Sequence, residues 1–257
     1  MRLKINPALI VVIACLALWQ AAGNWSELVG DIIGTPYVVA RELGVVLTSA
    51  NTWHNFGVTS MELGLGLMLA IVIGLVLSLG LGTERHIHET LEPLLLVGNT
   101  VPKVILLPAF LMLLGTGYSS KIAFGALHGM LPIAIIVSNG ARKVLAGEQI
   151  RAAIAMDATK SQLILHILFP SVLPYLVTAL RLAVSLTLLG VILGEMYVAR
   201  AGLGFMLMRW YGELQIPKML SVVVMIGGMA AILDFLLRRL EAKIWRNHGF
   251  RQAQQQH

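Results

Sequence analysis

The stretch VTSMELGLGLMLAIVIGLVLSLGLG, residues 58–82, contains a single charged side chain, Glu62. A helix needs about 20 apolar residues to cross the hydrocarbon core of a bilayer, so this stretch is long enough to span a membrane. Its apolar residues do not alternate with polar ones, and the run is too long for a membrane β-strand. The stretch therefore predicts a transmembrane helix.

Five further apolar segments repeat this pattern, and the whole chain is 57% hydrophobic and 12% charged, against about 25% charged in a soluble domain. The first segment has a basic start and a short apolar core, as a cleaved signal does, but apolar residues continue to Trp19 and favour a retained helix. We expect an all-α, polytopic membrane protein of one domain, 1–257, with six transmembrane helices near 7–23, 58–82, 94–115, 121–139, 172–197 and 218–238.

The basic residues of the chain, which give it a formal charge of +6, lie mostly in alternate loops. Membrane topology explains this distribution better than a nucleic-acid partner, because Lys and Arg accumulate in cytoplasmic loops. With both termini in the cytoplasm, 12 of the 19 Lys and Arg residues lie inside and five lie outside. The five predicted to lie outside are Arg41, Lys121, Arg200, Arg209 and Lys218.

Several classes of function lack their sequence signals. The single cysteine, Cys15, allows no disulfide within the chain, and the seven histidines form no H-E-x-x-H pattern, so we expect no metal site. There is no G-x-x-x-x-G-K-[ST] to cradle phosphates, and Ser185 and His128 lie in no G-x-S-x-G context that would indicate an intramembrane hydrolase. A secondary transporter or channel remains the alternative, although no internal repeat supports it.

Residues 140–171 form the longest predicted cytoplasmic loop, and they are unexpectedly apolar. The spacing of apolar residues in IRAAIAMDATKSQLILHILFP, residues 150–170, predicts two short helices joined by a polar turn. A loop with this many apolar residues is not expected to face water. We therefore expect it to pack either on a partner or as a lid on its own bundle.

This loop resembles that of the permeases of binding-protein-dependent ABC importers, which carry an E-A-A-x-x-x-G motif followed by an apolar–Pro pair. Arg151, Ala152, Ala153, Asp157 and Pro170 fall on that pattern, with Arg151 in place of the glutamate and Asp157 in place of the glycine. NTVPKVILLPAFLMLLGTG, and ALRLAVSLTLLGVILGEM followed by AGLGFML, are similar to the subgroup that imports nitrate, sulfonates and taurine.

The resemblance implies a type I ABC importer permease in a bacterial inner membrane, which is itself not an enzyme. Two six-span subunits, most simply a homodimer, would form a translocation pathway for a small, anionic solute that a soluble binding protein delivers. ATP and Mg²⁺ would be bound by a separate ATPase dimer, and this chain would bind no cofactor. The residues implied in coupling to the ATPase are Arg151, Ala152, Ala153, Asp157, Thr159, Lys160 and Pro170.

Polar residues inside predicted spans are functional candidates, because burying charge in lipid is unfavourable. Asn99, Lys103, Arg181 and Glu195 are candidates for the translocation pathway, and Asn99 lies one turn before Lys103. For Glu195, and for Glu62, the favoured alternative is a structural role, in which the side chain snorkels or pairs with another residue. His128 is interpreted as a hydrogen-bonded packing residue.

Other patterns predict how the helices pack. Pro102 and Pro108 should bend or unwind the third span. Apolar residues recur at helical spacing within 24–57 and indicate an amphipathic helix, either on the outer membrane surface or packed as a cap over the spans. A stripe of small residues lets another helix approach, in this subunit or in a second one. The stripe comprises Gly66, Ala70, Gly74, Ser78 and Gly82.

Overall fold

The computed structural model describes residues 7–26, 34–83 and 85–247, and within these ranges all regular structure is helical. The side chains of residues 7–9, 83–88, Lys160 and 244–247 are not described. The helices are α1 (Pro7–Gly23), α2 (Pro36–Thr48), α3 (Ala50–Thr83), α4 (Arg85–Thr100), α5 (Leu107–Leu114), α6 (Tyr118–Leu145), α7 (Glu148–Ala155), α8 (Lys160–Gln162), α9 (Phe169–Val198), α10 (Leu203–Gly212) and α11 (Ile216–Asn247).

Four apolar stretches in these ranges are long enough to cross a membrane as single helices: Ala50–Gly82, Tyr118–Leu145, Leu163–Val198 and Ile216–Lys243. The pair Glu89–Thr100 and Lys103–Leu114 meets at 91° and forms either one broken span, which would make a fifth crossing, or a re-entrant loop. The remaining predicted span is α1, whose 17 residues extend about 25 Å and fall short of the roughly 30 Å core. The six-span count stays a prediction.

The bend confirms the predicted break in the third span. Pro102 has no backbone N–H and keeps Val101 out of helical geometry, so α4 ends at Thr100. A single 3₁₀ turn, Lys103–Leu106, leads into α5. Pro108 lies in the first turn of α5, where a backbone N–H would have no acceptor within the helix, so the missing N–H of proline costs nothing there.

Helix α6 lies at the centre of the bundle, with α3 and α9 packed along it. The small-residue stripe of α3 faces α6 of the same chain. A Cβ added at Gly74 would lie 2.7 Å from the Cβ of Ile133, and Ala70 is fully buried. The stripe therefore serves packing within the subunit.

Helix α2 packs as a cap rather than lying free on the surface. It begins at Thr35, whose hydroxyl accepts a hydrogen bond from the Val38 N–H. Val39 and Val46 are buried, and the Ser221 hydroxyl of α11 donates to the Val39 carbonyl. Residues 27–33 of the predicted amphipathic region lie outside the described ranges.

The predicted loop 140–171 is shorter in the structure, because helices extend into it from both sides. Helix α6 continues to Leu145, and a π-helical segment, Leu163–Leu168, joins α8 to α9. The first short helix predicted there is α7, but the second is the start of the long helix that contains α9. We call the two ends of the bundle the α7 end and the α10 end.

Candidate functional site

The bend between α4 and α5 carries the predicted lysine. The Lys103 ammonium donates to the backbone carbonyl of Asn99 at 3.2 Å and to its side-chain oxygen at 3.3 Å, which confirms the predicted neighbour. Lys103 is half-buried and Asn99 is exposed. A bent span can hold a cation here because the Asn99 carbonyl, in the last turn before the break, accepts a hydrogen bond from the ammonium.

His128 packs in α6, as the sequence predicts. Its ring is 6% exposed, lies edge-on to Phe124, and has Nδ1 2.9 Å from the Phe124 carbonyl, so Nδ1 carries the proton that makes this hydrogen bond.

The three other ionisable candidates each have partners distant in sequence. The Arg181 guanidinium donates to Asp234 at 2.6 Å and lies 3.6 Å from Glu241, both on α11. Glu62 forms a buried ion pair with Lys121, the first residue of the predicted fourth span. The assignment of Lys121 to an outer loop is wrong, because α6 begins at Tyr118 and Lys121 is 3% exposed.

Glu195 accepts hydrogen bonds on both carboxylate oxygens. The Thr59 hydroxyl donates to Oε1 at 2.7 Å, and the Gly204 N–H donates to Oε2 at 2.7 Å. The residue is 1% exposed. This position supports the structural alternative, because both oxygens have donors inside the bundle, and a place for Glu195 in the pathway stays a prediction.

Asn55 and Thr59 were not predicted, although a signal was available. Together with Glu62 they recur on α3 at intervals of four and three, which places all three on one helix face. No pattern in the sequence indicates that this face meets residues 202–204.

At the α7 end, α7 ends in a Schellman motif. The Asp157 N–H donates to the Ile154 carbonyl, and the Ala158 N–H donates to the Ala153 carbonyl, both at 3.0 Å. Asp157 occupies the residue after the helix C-cap with φ +54°, in the left-handed region. Glycine suits the motif at this position because it adopts the left-handed conformation without a steric penalty. Asp157 has a Cβ, so the same conformation is less favourable for it.

The next residues start the following helix. Thr159 and Gln162 form a capping box, in which the Thr159 N–H donates to the Gln162 side-chain oxygen at 2.8 Å and the Gln162 N–H donates to the Thr159 hydroxyl at 3.4 Å. The polar groups of Thr159 stabilise the local turn, and its contact with a partner stays a prediction. Lys160 begins α8, and Pro170 lies half-buried in the first turn of α9.

The surface of α7 and its turn is partly apolar. Ile150 is buried against the bundle, whereas Ile154 is 57% and Met156 is 82% exposed. Arg151 and Ala152 are also exposed, and Ala153 is half-buried. The lid interpretation accounts for Ile150 and leaves the rest of this surface without a contact in the described chain.

Comparison with known proteins gives concordant matches. Residues 70–246 match the family described as "binding-protein-dependent transport system inner membrane component". The nitrate import permease protein NrtB of Synechocystis sp. is 25% identical over 246 residues, covering 93% of this chain and 89% of that protein. The formylaminopyrimidine transport permease protein ThiX of Halalkalibacterium halodurans is 28% identical over 220 residues, covering 84% and 88%.

Among solved structures, a chain of the inward-facing MetNI methionine ABC transporter superposes with a TM-score of 0.58 at 19% identity. The superposition covers 81% of this chain and 96% of that chain, and it confirms the type I permease fold. The resemblance to the nitrate, sulfonate and taurine subgroup is also confirmed by its curated relatives.

Proposed function

Since the chain belongs to the family of binding-protein-dependent transport system inner membrane components, we propose that two identical copies of it pair in the membrane and form a translocation pathway for a small anion. The chain is an ABC importer permease subunit, and ATP hydrolysis belongs to a separate subunit. We place the α7 end against an ATPase dimer, which binds ATP and Mg²⁺, and the α10 end toward a soluble solute-binding protein.

The distribution of cations supports this orientation. With Lys121 buried in an ion pair, four of the five predicted outer cations remain at the α10 end: Arg200 lies in a loop, Arg209 and Lys218 lie at helix ends, and Arg41 lies within α2. The α7 end keeps its larger share, although Arg2, Lys4 and Arg251 lie outside the described residues. Both termini are therefore proposed to be cytoplasmic.

The exposed surface of α7 supports contact with the ATPase. Ile154 and Met156 would bury apolar area in a groove, and the small Ala152 permits close approach. To test this, a cysteine at Met156, in a Cys15→Ser chain, should crosslink to the ATPase. A cysteine at Ile150 is the matched control, because it lies on the same helix but is 5% exposed. Crosslinking of neither, or of both equally, would contradict the proposed surface.

The observation that supports an anionic solute is that Lys103 has no ion-pair partner among the described residues. Of the cations within spans, Lys121 is paired with Glu62 and Arg181 with Asp234, whereas the ion pairs of the described residues do not include Lys103. Its ammonium donates to two neutral oxygens of Asn99, which are its hydrogen-bond acceptors among the described residues. A half-buried cation without a counter-charge attracts an anion, and the nitrate relative is consistent with such a solute.

Substitution of Lys103 tests this role. We predict that Lys103→Met leaves assembly and thermal stability of the permease–ATPase complex unchanged but lowers import of small anions, such as nitrate, at least tenfold. Lys103→Arg should retain most of the import, because it keeps the charge. Lys121→Met is the control for a structural lysine and should lower stability instead.

Two results would contradict the proposal. Full anion import by Lys103→Met would remove the solute role, and loss of stability in Lys103→Met comparable to that of Lys121→Met would make the lysine structural. Import of a neutral pyrimidine, independent of Lys103, would favour a solute like that of the formylaminopyrimidine relative.

A further inference from the structure

The start of α10 is held by side chains from two other helices. Three consecutive backbone N–H groups, of residues 202–204, donate to Asn55 Oδ1 at 2.7 Å, Thr59 Oγ1 at 2.8 Å and Glu195 Oε2 at 2.7 Å respectively. The first N–H groups of a helix have no partners within the helix, so these side chains satisfy donors that would otherwise need water.

The arrangement is closed to solvent, and the Glu195 carboxyl group has a helix N-terminus on one side and the carboxyl group of Glu62 nearby. Asn55 is 3%, Thr59 is 0% and Glu195 is 1% exposed. The Glu195 carboxylate lies at the N-terminus of a ten-residue helix, where the helix dipole favours an anion. We call Asn55, Thr59, Glu195 and the N–H groups of residues 202–204 the latch.

Gly202 shows how tightly the latch is built. Its φ is +117°, and a Cβ added there would collide with the carboxylate of Glu195. Only glycine allows the backbone to turn over the carboxylate and present its N–H groups. The stretches GEM (194–196) and AGLG (201–204) therefore form the two sides of one contact.

The latch connects helices that would otherwise be joined by apolar packing. Asn55 and Thr59 belong to α3 and Glu195 belongs to α9, while Glu62, one turn further along α3, is paired with Lys121 of α6. Moving α10 away without admitting water would leave the buried Glu195 carboxylate without its backbone donor and would leave the N–H groups of residues 202–204 unpaired. Both changes are strongly unfavourable in a site closed to water.

We propose that Glu195 is a positioning residue that keeps α10 fixed to α3 and α9 throughout the transport cycle, so that α10 is an immobile part of the pathway's outer face and not a lid. This inference rests on the proposed function for the direction and the cycle. It assigns to Glu195 a role that transport of any solute would require, independent of Lys103.

The test uses cysteine labelling of the assembled permease–ATPase complex in a Cys15→Ser chain. Met206 of α10 is 2% exposed, and Leu214, just beyond the end of α10, is 81% exposed. A membrane-impermeant maleimide applied from the outer side should label Leu214→Cys at once. It should leave Met206→Cys unlabelled both at rest and during ATP turnover. A rise in Met206→Cys labelling on turnover would overturn the proposal, because α10 would then open.

Substitution of the latch provides the second arm. Glu195→Gln keeps the shape but cannot accept both hydrogen bonds, so Met206→Cys labelling should become at least tenfold faster even without ATP. Thr59→Val should also make Met206→Cys labelling faster, and it replaces Glu195→Gln if that variant does not assemble. Thr59→Ser keeps the hydroxyl group and should keep the slow labelling. Unchanged labelling in both Glu195→Gln and Thr59→Val would overturn the role.

A control separates a local role from general unfolding. Ile133 in α6 is fully buried, and Ile133→Cys should stay unlabelled in every latch variant. Labelling of Ile133→Cys together with Met206→Cys would show that Glu195 supports the whole fold and would refute a positioning role specific to α10. Labelling of Leu214→Cys only from the ATPase side would instead contradict the proposed orientation, and it requires no knowledge of the solute.

Discussion

Replacing Asp157 by glycine should stabilise the protein, because the turn after α7 holds this residue in a left-handed conformation, φ +54°. A side chain in that region costs roughly 1 kcal/mol relative to glycine, with Asp among the better tolerated residues. Its carboxylate also lies at a helix C-terminus, where a negative charge costs about 0.5 kcal/mol. Removing both gives an expected gain of about 1–1.5 kcal/mol for Asp157→Gly.

Asp157→Asn separates the two contributions. Asparagine tolerates the left-handed region as aspartate does, so it should recover only the electrostatic part, about 0.5 kcal/mol. For a chain of this length 1 kcal/mol corresponds to about 2–4 °C in the midpoint of thermal unfolding. We therefore expect about 2–6 °C for Asp157→Gly and about 1–2 °C for Asp157→Asn, measured by tryptophan fluorescence of the permease in detergent.

Equal stabilisation by Asp157→Gly and Asp157→Asn would show that the left-handed backbone at residue 157 costs nothing, and it would refute the expected backbone contribution. A second measurement concerns coupling. If the carboxylate contacts the ATPase, the more stable Asp157→Gly permease should stimulate ATP hydrolysis less than wild type. Combining it with Arg151→Glu restores the family pattern at both positions, and unchanged import by this double variant would show that neither charge takes part in coupling.

The other predictions concern packing and the buried ion pair. Gly74→Leu should lower the unfolding midpoint by several degrees, because its Cβ would lie 2.7 Å from that of Ile133, whereas Gly64→Leu, with open space at its Cβ, should be neutral in the same assay. Lys121→Met should cost about 3–5 kcal/mol by leaving Glu62 buried without a counter-charge, and Glu62→Met combined with it should recover most of that loss. A double variant as unstable as the single one would contradict this account of the pair.

The sequence by itself determined the features that depend on neighbouring residues. Hydropathy indicated the spans, because a helix in lipid must be apolar over a continuous stretch. Pro102 and Pro108 predicted the bend, since a missing N–H and a steric clash act on the adjacent turns. Asn99 was placed beside Lys103 by the four-residue spacing of a helix, and the structure has that hydrogen bond.

Only the tertiary structure decided which polar groups meet. Thr59 and Glu195 are 136 residues apart, and Asn55 and Gly202 are 147 apart, so no periodicity within one helix relates them. The stripe containing Gly74 could equally have faced a second subunit, and Lys121 could have been an outer cation. These outcomes depend on the rotation and neighbours of each helix. Those are set by the packing of apolar side chains over the whole bundle, which a pattern local to one segment does not encode.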